Sequence, residues 1–272
     1  MLFRSTKIVW GGPQIENGID TFKDEGLMDH YIYGDAEFSI VELLKGNTTA
    51  KGIDSLKTNQ VDLNQVLIPN YDDIDWDAYH QRWGLQISPI YVTGSRGCVK
   101  RCTFCNVYEI WPEYRFRSGK DIAKEIITLR QKYDRTDFRF TDSLINGSMK
   151  SFREMMRELR DYRASDKGIA WTSQWIVRSK KQSPEEDFIL MKESGCSELH
   201  IGIESFSQDV RFHMGKKFTD EDMWWCFDML RKHKIKHALL MMVGYPTETE
   251  EDHRITLDTI KRLFDMGYVT TK

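Results

Sequence analysis

Apolar residues recur along this chain with two periods, and the two periods alternate from about residue 86 onward. Short apolar runs predict strands at residues 87–93, 137–141, 169–177, 198–203 and 236–243. Apolar positions spaced three and four apart predict helices at residues 118–133, 148–162, 184–194, 219–233 and 248–266. Because strands that alternate with helices of this length form βαβ units, we expect an α/β fold with a parallel sheet, open or closed into a barrel.

The chain before residue 86 follows a less regular pattern. Residues 7–10 and 29–33 predict two short strands, each followed by glycine, and residues 37–45 predict a helix that ends at Gly46. Residues 47–85 carry clusters of Gly, Asn and Asp without a period, which predicts a linker. We therefore divide the chain into a segment at 1–46, a linker at 47–85 and a core at 86–272. Residues 268–272 look like the start of another strand, so we expect a piece of a longer architecture.

Composition excludes several classes of protein. The chain has 272 residues, 40% of them hydrophobic, and a formal charge of 39 − 42 = −3, which gives no electrostatic case for a general nucleic-acid or membrane binder. No apolar stretch approaches the ~20 residues that span a bilayer, and the first residues lack a secretory pattern. We therefore expect a cytoplasmic protein, in which clustered cysteines indicate metal binding or catalysis rather than disulfides.

Three of the five cysteines, Cys98, Cys102 and Cys105, directly follow the predicted strand at 87–93. Loops at the carboxyl ends of parallel strands are where α/β folds place their chemistry. Three thiolates are too few to close a tetrahedral zinc site or to ligate every iron of a four-iron cluster, so one metal position stays open. A zinc knuckle and a ferredoxin-like carrier are the alternatives, although no fourth Cys or His follows at short spacing and no Cys-Pro pair is present. Cys196 and Cys226 are expected to be buried apolar residues.

The spacing Cys-x3-Cys-x2-Cys, with Phe104 before the last cysteine, resembles the signature of the radical S-adenosylmethionine (radical SAM) enzymes. The resemblance covers about residues 86–272 and implies a partial (β/α) TIM-type barrel. It implies a 4Fe-4S cluster held by Cys98, Cys102 and Cys105, shielded by Phe104, with SAM chelating the fourth iron. An electron from the reduced cluster would cleave SAM to methionine and a 5′-deoxyadenosyl radical that abstracts hydrogen from a substrate. An electron donor such as flavodoxin or ferredoxin is implied as a partner.

The exits of the other predicted strands supply candidate SAM contacts. Asp142 and Ser143 stand where many members of the family carry Gly-Gly-Glu, whose function is to hold the SAM amino group, and the resemblance makes Asp142 its substitute. It likewise implies that Glu204 and Ser205 lie near the ribose, that Lys216 pairs with the SAM carboxylate, and that the loop with Gly244 and Pro246 packs near adenine.

The N-terminal segment is similar, over about residues 7–46, to the closing half of a cobalamin-binding Rossmann-like domain, which precedes the radical SAM core in one subgroup. We expect a partial Rossmann-like α/β segment that is a remnant, with cobalamin binding as the alternative. The leading hypothesis is a radical SAM enzyme acting on an unknown small-molecule or peptide substrate. The alternatives are a cobalamin-dependent radical SAM methyltransferase and a truncated, non-catalytic protein that binds an iron–sulfur cluster or SAM.

Overall fold

The structure, a computed structural model, describes residues 6–12, 15, 18–56, 59–76, 78 and 89–268. It divides into two compact units, Met1–Leu67 and Ile68–Lys272. No helix in the described part of the chain combines the length and the apolar character that crossing a membrane requires.

The first unit is built on a small parallel sheet. Strand β1 (Val9–Gly11) pairs in parallel with β2 (His30–Ile32), and helix α1 (Ile19–Asp24) lies between them in sequence. Helix α2 (Ser39–Leu44) follows, so both predicted strands and the predicted helix are present, whereas α1 has only six residues and is not predicted by its period. Its small core contains Ile15, Ile19, Met28 and Tyr31.

Residues 47–67, which the sequence predicts as part of a linker, belong to this first unit. Ile53 forms an isolated antiparallel bridge with Ile32, and a 3-10 turn spans Leu63–Gln65. Asn59 is buried, and its side-chain amide donates to the carbonyl of Asp35 and to Ser39 Oγ, both at 2.8 Å. A buried amide needs such partners, and these contacts hold the segment in place although it has no hydrophobic period. The predicted linker residues 57–58, 77 and 79–85 lie outside the described residues.

The second unit contains a parallel five-stranded sheet and a short antiparallel ribbon. Its strands are β3 (Ile90–Val92), β4 (Ser95–Arg96), β5 (Arg115–Phe116), β6 (Asp137–Phe140), β7 (Ala170–Trp175), β8 (Cys196–Glu204) and β9 (Lys236–Met241). The parallel sheet has the order β3-β6-β7-β8-β9, and β4 pairs with β5 in the ribbon. The predicted α/β fold with a parallel sheet is confirmed, and the sheet is open across the described residues. The start of the first predicted core strand, residues 87–88, lies outside them.

Helices connect these strands. They are α3 (Val107–Ile110), α4 (Gly119–Tyr133), α5 (Met149–Arg163), α6 (Glu185–Ser194), α7 (Gln208–His213), α8 (Asp220–Lys232) and α9 (Glu250–Asp265). The five predicted helices are present with ends within two residues of the expectation. Four of the longer helices begin at a hydroxyl side chain that accepts a backbone N–H of the first turn, from Ser118, Ser148, Thr219 and Thr249.

The core of the second unit lies between the sheet and its helices. Trp171 and Trp175 of β7 are buried and pack against Phe152 of α5 with ring centroids 6.1 and 5.5 Å away. A buried ion pair between Arg117 and Glu125 lies beside the ribbon, and Arg117 also donates to the carbonyl of Thr93 at 3.0 Å. Arg117 therefore connects α4 to the chain that leaves β3.

Candidate active site

A cavity with about 730 Å³ of empty space opens at the carboxyl ends of the parallel strands. Each strand of the sheet supplies lining residues from its carboxyl end or from the segment that follows it. Those used below are Cys98, Lys100, Cys102, Phe104 and Cys105 after β3, Ser143 after β6, Gln174 of β7, Gly202 and Glu204 of β8, Lys216 after α7 and Leu240 of β9. Convergence of polar groups at this edge of a parallel sheet is typical of an active site.

The loop with the three cysteines is shaped by backbone contacts. Gly97 has φ +85°, and a Cβ there would lie 2.6 Å from the carbonyl oxygen of Glu113, so only glycine fits. The N–H of Cys105 donates to the carbonyl of Cys102 at 3.1 Å, and the N–H of Lys100 donates to Cys98 Sγ at 3.3 Å. All three thiols are free and partly exposed to the cavity. The structure thus brings together the three cysteines that the sequence predicts.

Burial raises the pKa of the Cys98 and Cys102 thiols, and the Lys216 ammonium opposes that rise at both. Raised pKa values keep these thiols protonated at neutral pH when no metal is bound. Metal ligation requires the thiolate, so loading this site releases protons and its affinity increases with pH.

The thiols fit an iron–sulfur cluster better than a single metal ion. Among the described residues, no three Cys, His, Asp or Glu side chains surround one point at which a single ion could bind. The three thiols nevertheless line one cavity, and no fourth cysteine or histidine from the described chain joins them. In a four-iron cluster each protein ligand belongs to a different iron, so the ligands stand apart. A four-iron cluster held by these three thiols would have one iron without a ligand from the described residues.

Glu204 and Lys216 form an ion pair in the same cavity, with Lys216 Nζ 3.0 Å from Glu204 Oε1. The ammonium also donates to the carbonyl of Gly202 at 2.7 Å and lies 5.9 Å from the centre of the Phe104 ring. Glu204 ends β8 with φ +65°, in the left-handed region. A Cβ on Gly202 would lie 2.7 Å from both Glu204 Oε1 and Lys216 Nζ, so any other residue at this position would displace the charged ends of the pair. Glu204, Lys216 and Phe104, which the sequence predicts as cofactor contacts, therefore line one cavity together with the three cysteines.

Asp142 lies outside this cavity, although its neighbour Ser143 lines it. The Asp142 carboxylate is 3% exposed, accepts the N–H of Gly94 at 2.8 Å and accepts a hydrogen bond from the Ser95 hydroxyl. Burial raises the pKa of Asp142 to about 7, and those hydrogen bonds oppose the rise. The Asp142 side chain, predicted to contact SAM, thus connects the exit of β6 to the start of β4 through these hydrogen bonds.

Ser205, Gly244 and Pro246 also lie outside the cavity lining. Ser205 is buried, and its hydroxyl accepts the N–H of Ser207 at 3.1 Å. Gly244 and Pro246 are exposed, but Tyr245 between them reaches the cysteine loop, where its hydroxyl lies 2.7 Å from Thr103 Oγ1. The loop after β9 is therefore adjacent to the cysteines through Tyr245 rather than through the two residues that the sequence singles out.

Residues 92–260 match the family model of the radical SAM superfamily. The chain belongs to this superfamily. Radical SAM enzymes use a 4Fe-4S cluster and SAM, so these are the cofactors of this chain, and the three thiols with one iron left open fit that pair.

Similar proteins include two methyltransferases. An uncharacterized methyltransferase of Pyrococcus horikoshii is 24% identical over 280 residues, which cover 96% of this radical SAM chain and 59% of that protein. The cytidylyl-2-hydroxyethylphosphonate methyltransferase of Streptomyces wedmorensis is 31% identical over 140 residues, 49% of this chain and 24% of that enzyme.

A solved structure shares the fold. The radical S-adenosylmethionine methyltransferase TsrM from Kitasatospora setae, with cobalamin and a 4Fe-4S cluster bound, matches with a TM-score of 0.75 at 18% identity. The match covers 96% of this chain and 54% of that chain. This radical SAM chain therefore spans between about a quarter and three fifths of the length of these three proteins.

Sequence patterns do not assign a site role to Lys100 or Tyr245. Lys100 stands between two ligand cysteines, and that position alone is a usable signal for a side chain near the cluster. Tyr245 stands inside the segment singled out for adenine packing, but nothing in its local pattern indicates a contact with Thr103. Contacts between loops of different strands have no period in the sequence.

Proposed function

We propose that this chain binds a 4Fe-4S cluster through Cys98, Cys102 and Cys105 and cleaves SAM reductively beside it. The observation that carries the proposal is one cavity at the carboxyl ends of the strands that holds three free thiols together with the Glu204–Lys216 pair. When bound and reduced, the cluster supplies the electron that breaks a carbon–sulfur bond of SAM. The reductant is a low-potential electron donor of the flavodoxin or ferredoxin class.

Lys216 is suited to hold the SAM carboxylate. An ammonium has three N–H donors, and two of those on Lys216 are directed at Glu204 and at the Gly202 carbonyl. The third is available for a carboxylate, and such a charge-assisted hydrogen bond is among the stronger ones in proteins. Glu204, fixed by the same ammonium, provides an acceptor for ribose hydroxyls.

Phe104 and the apolar lining keep water from the reacting atoms. Phe104 lies between two ligand cysteines and contributes its ring to the cavity, together with Leu240 and Trp175. Exclusion of water protects a reactive carbon radical from side reactions. The polar groups directed into this lining then orient SAM, while the substrate occupies the remaining space.

Methyl transfer is a second and more specific candidate function. Both curated relatives described above are methyltransferases, and the fold match to TsrM, a structure with cobalamin bound, covers 96% of the chain, including the first unit. The parallel β1–β2 pair of that unit is the arrangement expected of a Rossmann-like segment. These observations support a cobalamin-dependent radical SAM methyltransferase acting on a small-molecule or peptide substrate.

The test is anaerobic reconstitution with iron and sulfide, followed by dithionite and SAM, with 5′-deoxyadenosine measured by chromatography. We expect product from the wild type and from Cys196→Ala, which removes a buried thiol outside the cavity. Cys102→Ala is expected to lose iron and product together. Wild-type protein that holds four irons but releases neither 5′-deoxyadenosine nor another SAM cleavage product would overturn the proposal.

The methyl-transfer candidate has its own measurement. Reconstituted protein is incubated with hydroxocobalamin and separated by gel filtration, and the corrinoid absorbance that travels with the protein is recorded. Stoichiometric corrinoid supports the candidate. If the corrinoid separates from the protein while SAM is still cleaved, the result contradicts cobalamin-dependent methyl transfer but remains consistent with reductive cleavage of SAM.

A further inference from the structure

The cavity contains two ammonium groups in different electrostatic settings. Lys216 is neutralised by Glu204 at 3.0 Å. Lys100 also lines the cavity and is half-buried, but the titratable groups that interact with its charge are the thiols of Cys98 and Cys102 and the cations of Arg178 and Lys216. Within the described chain no carboxylate pairs with Lys100. One positive charge in the site therefore has no counter-charge among the residues that the structure describes.

Arg178 adds to this imbalance. Its guanidinium donates to two neutral acceptors, the carbonyls of Asn146 and Gly147, at 2.7 and 3.1 Å. Its positive charge therefore remains unneutralised by these contacts, and it interacts electrostatically with both Lys100 and Cys98. A half-buried cation beside a second cation is unfavourable unless an anion joins them. The anion that the site is built to take is the thiolate-ligated cluster, whose ligands Cys98 and Cys102 lie two positions before and two positions after Lys100.

The backbone of Lys100 also contacts a predicted cluster ligand, because its N–H donates to Cys98 Sγ at 3.3 Å. Reduction adds one electron to the cluster and makes it more negative. Nearby positive charge and hydrogen bonds to the ligand sulfurs stabilise the more negative state, and so raise the reduction potential. In a half-buried cavity this interaction is screened less than at the surface.

We propose that Lys100 sets the reduction potential of the cluster, with its uncompensated ammonium stabilising the reduced state that donates to SAM. The inference rests on the proposed function, since it requires the cluster at Cys98, Cys102 and Cys105. Lys100 is thereby a tuning residue that acts through the cluster and need not touch substrate.

The experiment is a redox titration of the reconstituted protein without SAM, followed by electron paramagnetic resonance of the reduced cluster. Lys100→Met is expected to shift the one-electron equilibrium at least tenfold toward the oxidised cluster, which is a midpoint about 59 mV more negative. Lys100→Arg keeps the charge and is expected to keep the midpoint. Arg101→Met is the matched control, because it removes a charge from the next residue, whose exposed side chain lies over the Tyr108 ring and not in the cavity.

An unchanged midpoint in Lys100→Met, at full iron content, overturns the inference. Equal shifts in Lys100→Met and Arg101→Met overturn it as well, because they show an effect of net charge alone. If Lys100→Met does not retain iron, Lys100→Gln provides a second neutral side chain, and the same shift is expected from it. A wild-type protein that forms no cluster overturns the proposed function itself, so the two failures are distinguishable.

Discussion

Replacing Asp142 with asparagine is expected to make the stability of the protein less sensitive to pH between 5 and 7. The wild-type carboxyl is 3% exposed, and burial raises its pKa from the ordinary value of an aspartate to about 7. Asparagine has nearly the same shape. Its oxygen accepts the Gly94 N–H, and its amide donates to Ser95 Oγ, which reverses the direction of that hydrogen bond. The substitution therefore removes the ionisation and leaves the packing close to that of the wild type.

The sign follows from proton binding. Between pH 4 and pH 7 the unfolded chain has released the Asp142 proton while the folded chain retains it, so the free energy of unfolding falls as pH rises. A full pH unit in this window is worth about 1.4 kcal/mol. Integrated from pH 5 to pH 7, with half of the folded carboxyl ionised at the end, the wild type loses about 2 kcal/mol relative to Asp142→Asn.

The assay is urea unfolding of the wild type and Asp142→Asn without cluster, at pH 5, 6 and 7 and constant ionic strength. The difference between the two proteins at each pH cancels the contributions of all other titrating groups. A difference that stays constant within about 0.5 kcal/mol from pH 5 to 7 would refute the reasoning, since two pH units inside the window must change it severalfold more.

Three further outcomes follow from contacts in the site and beside it. Lys216→Met is expected to weaken SAM binding about 10- to 100-fold in calorimetry on reconstituted protein, through loss of a charge-assisted hydrogen bond; an unchanged Kd contradicts its role. Gly202→Ala places a Cβ 2.7 Å from both partners of the Glu204–Lys216 pair, so it should weaken SAM binding while iron content stays at the wild-type level. A loss of iron in this variant would contradict the prediction that the pair contacts SAM without affecting the cluster. Arg117→Met leaves the buried Glu125 carboxylate without its cation, and we expect urea unfolding to show about 3–5 kcal/mol of lost stability, against less than 1 kcal/mol if the pair is unimportant.

The sequence is informative where the chemistry is local in the chain. The cysteine loop can be predicted because its three ligands lie within eight residues of each other and follow a recognisable strand. The parallel sheet can be predicted because each strand and helix has its own period. Glu204 is also predictable as a cavity residue, since it ends a strand, whereas Lys216 follows α7 and is indicated only by the family resemblance.

The sequence does not predict the direction in which a side chain points. Asp142 and Ser143 are adjacent in a bend after β6, and their side chains have different surroundings: Ser143 lines the cavity, whereas Asp142 accepts hydrogen bonds from Gly94 and Ser95. The rule that strand ends carry the chemistry selects the pair, but it does not say which member faces the cavity. Asn59 shows the same limit, because its burial depends on partners at Asp35 and Ser39 that no periodicity near residue 59 reveals.

The contacts of Thr103 have a consequence for the order in which the site is made. Its N–H donates to the carbonyl of Met214, and its hydroxyl meets Tyr245, which is 142 positions later in the chain. During synthesis the cysteines leave the ribosome well before either support exists. The cluster loop acquires its final shape only after β8 and β9 have been translated and added to the sheet, because closing such distant contacts comes late in folding. Iron–sulfur loading is therefore a step that follows translation of Tyr245, and the cysteine segment, which emerges earlier, must wait as free thiols.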